Sequence, residues 1–105
     1  MNIVGIAACP AGLAHTPMAA SALTKAGKKL GYNIKIEQQG VMGQVDKITA
    51  EEATAADLVI IASDQKLEGM DRFEGKKVYR VNINTCISSP EKTIEKLVSV
   101  AQGGN

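Results

Sequence analysis

The sequence predicts a three-layer α/β/α sandwich on a four-stranded, mainly parallel sheet. Three observations carry this. Short strand-type runs alternate with amphipathic helical stretches along the whole chain. Two of the runs, 3–8 and 58–62, are unbroken apolar segments of the kind covered on both faces. No linker, repeat or low-complexity stretch divides the chain, so residues 1–101 read as one domain, with 102–105 as a fraying tail. Strands joined through helices pair parallel by right-handed crossovers, and the expected strand order is 2-1-3-4.

Each element has a local reason. Ile3 to Ala8 is the first strand. A helix opening at Thr16 carries Met18, Ala19, Ala22, Leu23, Ala26 and Leu30 on one face, gathers Lys25, Lys28 and Lys29 near its end and stops at Gly31. The stripe of Met18, Leu23 and Leu30 reads as core rather than as a binding surface. Asn33 to Glu37 alternates Ile34 and Ile36 with polar residues as a second strand, and Gln38 to Gly43 reads as a glycine-bounded loop. Thr49 with Glu52 fits a capping box ahead of a short helix over Ala50 to Ala56. Leu58 to Ala62 is the strongest strand and reads as central. A polar loop from Ser63 to Gly69 leads to a fourth strand over Lys77 to Val81. Ser89-Pro90 then starts a last helix with Ile94, Leu97, Val98 and Ala101 in register.

Composition excludes several function classes. The 105 residues carry 12 basic and 11 acidic side chains, interspersed, for a net charge of +1, which favours neither nucleic acid nor an anionic membrane surface. No apolar run approaches the roughly 20 residues that span a bilayer, and the start MNIVGIAACP lacks the basic flank and cleavage site of a signal peptide. The chain is expected to be soluble and cytoplasmic, with Cys9 and Cys86 reduced. Nothing in the sequence calls for a metal or a cofactor.

The chemistry points to the loop Cys9-Pro10-Ala11-Gly12-Leu13-Ala14-His15-Thr16, between the first strand and the first helix. Backbone N–H groups of such a loop converge on one point, and the positive end of the helix dipole faces the same way, so a phosphoryl group or a thiolate is favoured there. In open α/β sheets this is also where ligands sit, beyond the carboxyl ends of the strands. An ordinary thiol is only a few per cent ionised at neutral pH. A helix terminus with several convergent N–H groups lowers its pKa enough to make Cys9 a nucleophile, with a thiophosphate held by the same cradle. The bland alternative for Cys9 is a small buried hydrophobe. Gly12 permits a close backbone approach. His15, the one histidine, donates to phosphate or holds the loop, with a second phosphoryl carrier as the other reading. Thr16 either caps the helix or binds phosphate. Asp64, at the end of the third strand, is within reach of the site on one reading and a solvated loop carboxylate on the preferred one. Gln39 and Gly40 are read in the same way, and Cys86 lies in a polar stretch with no evident role.

Two families use a cysteine in such a loop. Low-molecular-weight tyrosine phosphatases, whose fold the expected one resembles, carry C-x5-R-[ST]. Here His15 stands where the bidentate arginine belongs, so a Cys-dependent phosphomonoester hydrolase is the alternative reading. The run Cys9-Pro10-Ala11-Gly12-Leu13-Ala14-His15-Thr16-Pro17-Met18-Ala19-Ala20 resembles the fructose-class enzyme IIB components of the phosphoenolpyruvate-dependent sugar phosphotransferase system, of loop form C-P-x-G-[ILV]-A-H-T-x-M-A-A. The resemblance continues through Glu37-Gln38-Gln39-Gly40 with Gly43, through Ala55-Ala56-Asp57 and through Arg72-Phe73-Glu74-Gly75-Lys76. Pro17 and Ser21 depart from it, standing where an aromatic residue and a glutamate are usual.

The resemblance implies a phosphoryl relay. Cys9 would take the group from a phosphohistidine on a IIA component and pass it to a fructose-like sugar bound by the membrane-embedded IIC permease. Pro10 to Thr16 would form the phosphate-binding loop. A site without an arginine clamp is poor at activating water, which suits a carrier. A third reading is a non-catalytic regulatory module. Met1 and the completed last helix fit a free-standing subunit.

Overall fold

The computed structural model describes residues 2–8, 15–40, 43–63, 67 and 70–102. The elements run β1 (Asn2–Ala8), α1 (His15–Lys29), β2 (Asn33–Gly40), β3 (Gly43–Val45), α2 (Ala50–Ala55) and β4 (Leu58–Ala62). A 3-10 turn (Met70–Phe73), β5 (Val78–Arg80), α3 (Ile83–Ser88) and α4 (Pro90–Ala101) complete the order. The sheet order is β3-β2-β1-β4-β5. Its parallel part, β2-β1-β4-β5, has the arrangement the alternating pattern predicts. The addition is β3, which pairs antiparallel with the end of β2 at Gln38, Gln39 and Gly40. The stretch read as a loop after Glu37 is therefore strand at Gln38, Gln39, Gly40 and Gly43. Gln38 and Gln39 carry no β-propensity of their own, and their extended backbone comes from ladder bonds on both sides.

Alternation along the central strands makes two cores. Ile3, Ala7, Leu58, Ile60 and Ala62 pack under α1, α3 and α4 with Ala19, Leu23, Ala26 and Ile94. Val4, Ile6, Ala8, Val59 and Ile61 face the opposite layer with Ile48, Ala53, Leu67 and Phe73. Three layers thus follow from strands that are apolar on both faces.

Helix ends are chemically marked. The Thr49–Glu52 capping box is formed in both directions at α2. Lys76 Nζ donates to the carbonyls of Thr54 and Ala56 at the other end of that helix. At α1, Gly31 takes φ 88°, and the N–H groups of Gly31 and Tyr32 close on Lys28 and Gly27 carbonyls at 3.1 and 2.9 Å, the paired bonds of a left-handed helix stop. Asn82 caps α3 by accepting from the Asn84 N–H at 2.8 Å.

Two expectations are corrected here. Met18 is not core: it is 50% exposed. With 3.6 residues per turn it points about 140° away from Leu23, and the buried face is Ala19, Ala20, Leu23 and Ala26 instead. Cys86, in a polar stretch with no role evident from the sequence, has a structural one: it lies on α3, fully buried in the core under α1.

Candidate active site

The geometry of the sheet selects one end of the molecule. After β1 the chain leaves for the α1 face, and after β4 it leaves for the opposite face, where the 3-10 turn packs beside α2. Since β1 and β4 are neighbours, their exits diverge beyond Ala8 and Ala62, the switch point at which such sheets hold ligands. Cys9 follows Ala8 directly in the sequence, and α1 begins at His15.

Cys9 to Ala14 lie outside the described residues, as does Asp64. The structure places both ends of the loop: Ala8, 1% exposed, at the carboxyl end of β1, and the first turn of α1. No acidic side chain stands in that turn, unlike α2 and α4, whose first turns hold Glu51, Glu52 and Glu91. The positive end of α1 is thus uncompensated by its own sequence. His15 is its first residue and Thr16 its second, so Thr16 is inside the first turn rather than its cap. Pro17 fits a first turn, where its missing N–H has no helical partner to lose. Pro17 and Ser21 are both exposed on α1, where neither departure disturbs the core.

On the β2 side the rim is built by residues the sequence did not single out as a unit. Gln39 stands beside Ala8, and Glu37 beside Ile6. Glu37 is fully buried, with Oε2 accepting from Gln39 Nε2 and Arg72 Nη2, each at 2.7 Å, and Oε1 accepting from the Ile48 N–H at 2.8 Å. Arg72 Nη1 donates to the Ile48 carbonyl, and its guanidinium lies 4.9 Å from the Phe73 ring centroid. Burial alone would raise the Glu37 pKa. The hydrogen bonds from Arg72, Gln39 and Ile48 reverse this and hold it below the ordinary carboxylate value. Two stretches 35 residues apart, Glu37-Gln38-Gln39-Gly40 and Arg72-Phe73-Glu74-Gly75-Lys76, therefore meet through one ion pair, while Lys76 of the second stretch caps α2. No local signal links them in the sequence.

On the β4 side, Ser63 is buried and its carbonyl accepts from Arg80 Nη1 at 3.2 Å, which brings a guanidinium to this edge. A groove of about 410 Å³ lined by Asn2, Lys28, Tyr32 and Lys35 opens at the amino ends of β1 and β2, away from the loop. Among the described residues no group of His, Cys, Asp and Glu is arranged to hold a metal ion. Among them too, no helix is long and apolar enough to cross a membrane.

Comparison with known proteins decides which family uses this arrangement. The family described as PTS system, Lactose/Cellobiose specific IIB subunit, matches residues 4–96. The chain belongs to the PTS IIB family. Among IIB relatives, the fructose-like EIIB component 2 of Escherichia coli K12 is 40% identical over 91% of this chain and 91% of its own length. A fructose-specific EIIB'BC component of Haemophilus influenzae is 41% identical over 99% of this chain, which spans only 19% of that protein. The solved Enzyme IIB subunit of the PTS system from Escherichia coli K12 superposes with a TM-score of 0.89 at 33% identity, covering 97% of this chain and 94% of that one. The arginine phosphatase YwlE shares the fold alone, with a TM-score of 0.51 at 14% identity over 98% of this chain and 95% of its own. The IIB fold and the phosphatase fold are thus one architecture, and the residues in the loop distinguish them.

Proposed function

We propose that this IIB domain is a phosphoryl carrier, with Cys9 as the acceptor. The Cys9 thiolate attacks phosphorus on the phosphohistidine of a IIA component, forming S–P as N–P breaks. A sugar hydroxyl held by a IIC permease then attacks the same phosphorus: O–P forms as S–P breaks, the hydroxyl proton passes to water, and the thiolate returns. Pro10 to Thr16 cradle the phosphoryl oxygens in both states. The observation that carries this reading is the switch point between β1 and β4, where the chain leaves Ala8 for a helix start free of acidic side chains. Such a setting favours a thiolate and a phosphoryl dianion alike.

The names of the relatives support a fructose-like sugar, and longer relatives named EIIB'BC and EIIABC support IIC and IIA as acceptor and donor partners. The domain then works on the cytoplasmic side, with no nucleic-acid partner and no insertion into the bilayer of its own. His15 stands in place of the arginine clamp that phosphoryl hydrolysis requires, so the intermediate is spared from water.

Intact mass after incubation with phosphoenolpyruvate, the general phosphotransferase proteins and a panel of IIA components tests this. Wild type is expected to gain one phosphoryl group and Cys9→Ser none, with unchanged melting. A serine variant that still relays phosphate to sugar, or a wild type that takes none and hydrolyses an aryl phosphate, would overturn it.

A further inference from the structure

Near the carboxyl end of β1 lies a charged pair that no step of the relay uses. Glu37 and Gln39 point to the same face of β2, next to Ile6 and Ala8 of β1, and Cys9 is the residue after Ala8. By the 3.3 Å rise per strand residue, Glu37 is roughly 7 Å down the sheet from Ala8. A bare carboxylate so near the end of β1 would oppose a thiolate and a phosphoryl group held beyond it. Arg72 removes the opposition at 2.7 Å, with the two side chains 10% and 0% exposed.

Stability does not account for such a pair, because a well-packed apolar pair of similar volume serves a core as well or better. The other charged groups nearby leave the balance unchanged. Lys35 of β2 and Glu52 of α2 pair with each other at 2.7 Å, and Asp46, Lys47, Asp71 and Glu74 are exposed to water. The ring formed by Glu37, Arg72 and both backbone groups of Ile48 ties β2 to the segment after β3 and to the 3-10 turn.

We propose that Glu37 and Arg72 are positioning residues of the Cys9 site, holding Gln39 and the end of β2 against Ala8 while presenting no net charge to the loop. This rests on the reading of Cys9 as phosphoryl acceptor. The pair is an electrically silent brace: it fixes one wall of the site and leaves the field there to the loop, to α1 and to the Arg80 guanidinium at the β4 edge.

The test is the pH profile of Cys9 alkylation by iodoacetamide in the full chain, with Cys86 buried and silent, measured beside the rate of phosphoryl acceptance. Glu37→Gln leaves a guanidinium that cannot shed its proton. The alkylation midpoint is expected to fall, with about three- to tenfold more thiolate at pH 7. Arg72→Met is expected to raise the midpoint and slow acceptance by a similar factor, and the double variant Glu37→Gln/Arg72→Met to return the midpoint to wild type. Opposite shifts that cancel are the mark of charge, which lost packing cannot imitate. Equal midpoints in all four folded proteins, or single variants shifted in the same direction, would overturn the proposal. If a single variant fails to fold, Gln39→Ala decides: slowed acceptance at unchanged melting supports the brace, and unchanged acceptance overturns it. Alkylation needs no donor, so a wild type that accepts no phosphoryl group would sink the relay while the midpoints still settle this inference.

Discussion

Cys86 shows how burial alone sets a thiol's chemistry. Its side chain is fully enclosed, and desolvation pushes the pKa up to about 11 from an ordinary value of 9.0. The folded chain thus keeps a proton that the unfolded chain gives up, and this contribution to stability is lost as pH rises above about 9. By pH 11 the loss is on the order of 2–3 kcal/mol. Urea unfolding of wild type and Cys86→Ala between pH 8 and 11 is expected to show a steeper alkaline decline in wild type; parallel declines would refute it. At pH 7 iodoacetamide should reach one thiol in the native chain and two in urea. Residue roles were only partly legible in the sequence. The Cys9 loop announces itself through type and spacing, because its chemistry is local. The burial of Cys86 depends on α3 docking against α1, and the Glu37–Arg72 pair on contacts 35 residues apart, so neither leaves a mark on its own neighbourhood.

The elements divide along the same line. β1, β4, α1, α2 and α4 carry their own signals: apolar runs, a 3.6-residue stripe, a capping box, a glycine stop and a Ser-Pro start. The three-residue β3, the four-residue 3-10 turn and the six-residue α3 are too short for periodicity, and tertiary packing makes them. Packing also explains a residue that helix propensity disfavours. A Cβ at Gly27 would lie 2.7 Å from Ile34 Cγ2 and 2.8 Å from Ile34 Cδ1, so the glycine lets α1 settle on β2. Gly27→Ala gains about 1 kcal/mol in helix propensity and loses about 1–3 kcal/mol to overpacking, so net destabilisation is expected. In an Ile34→Ala background the same change should become stabilising. Thermal melts of the four proteins check this, and the absence of a sign change would count against the close approach.

For the molecule as a whole, one sheet serves two cores. Ile60 points into the core under α1 and Ile61 into the core under α2, both fully buried. Because the same backbone ladder carries both, Ile60→Ala and Ile61→Ala should each cost about 2–5 kcal/mol. Each should also lower a single shared melting transition by ten degrees or more. Calorimetry showing two separable transitions in either variant would mean that the layers fold apart.

The sheet also keeps its most adhesive segments out of reach. The runs Ile3–Ala8 and Leu58–Ala62 combine β-branched apolar residues with no charge, a composition prone to cross-β stacking. Both lie inside the sheet, and its margins are β3 and β5, three residues long each, with residues 33–37 of β2, which β3 does not cover and which carry Lys35. Short or lysine-bearing margins offer a stranger's strand little to pair with. The native domain can therefore be crowded, or tethered beside copies of itself, without zipping into fibrils, and that hazard is confined to the chain before it folds.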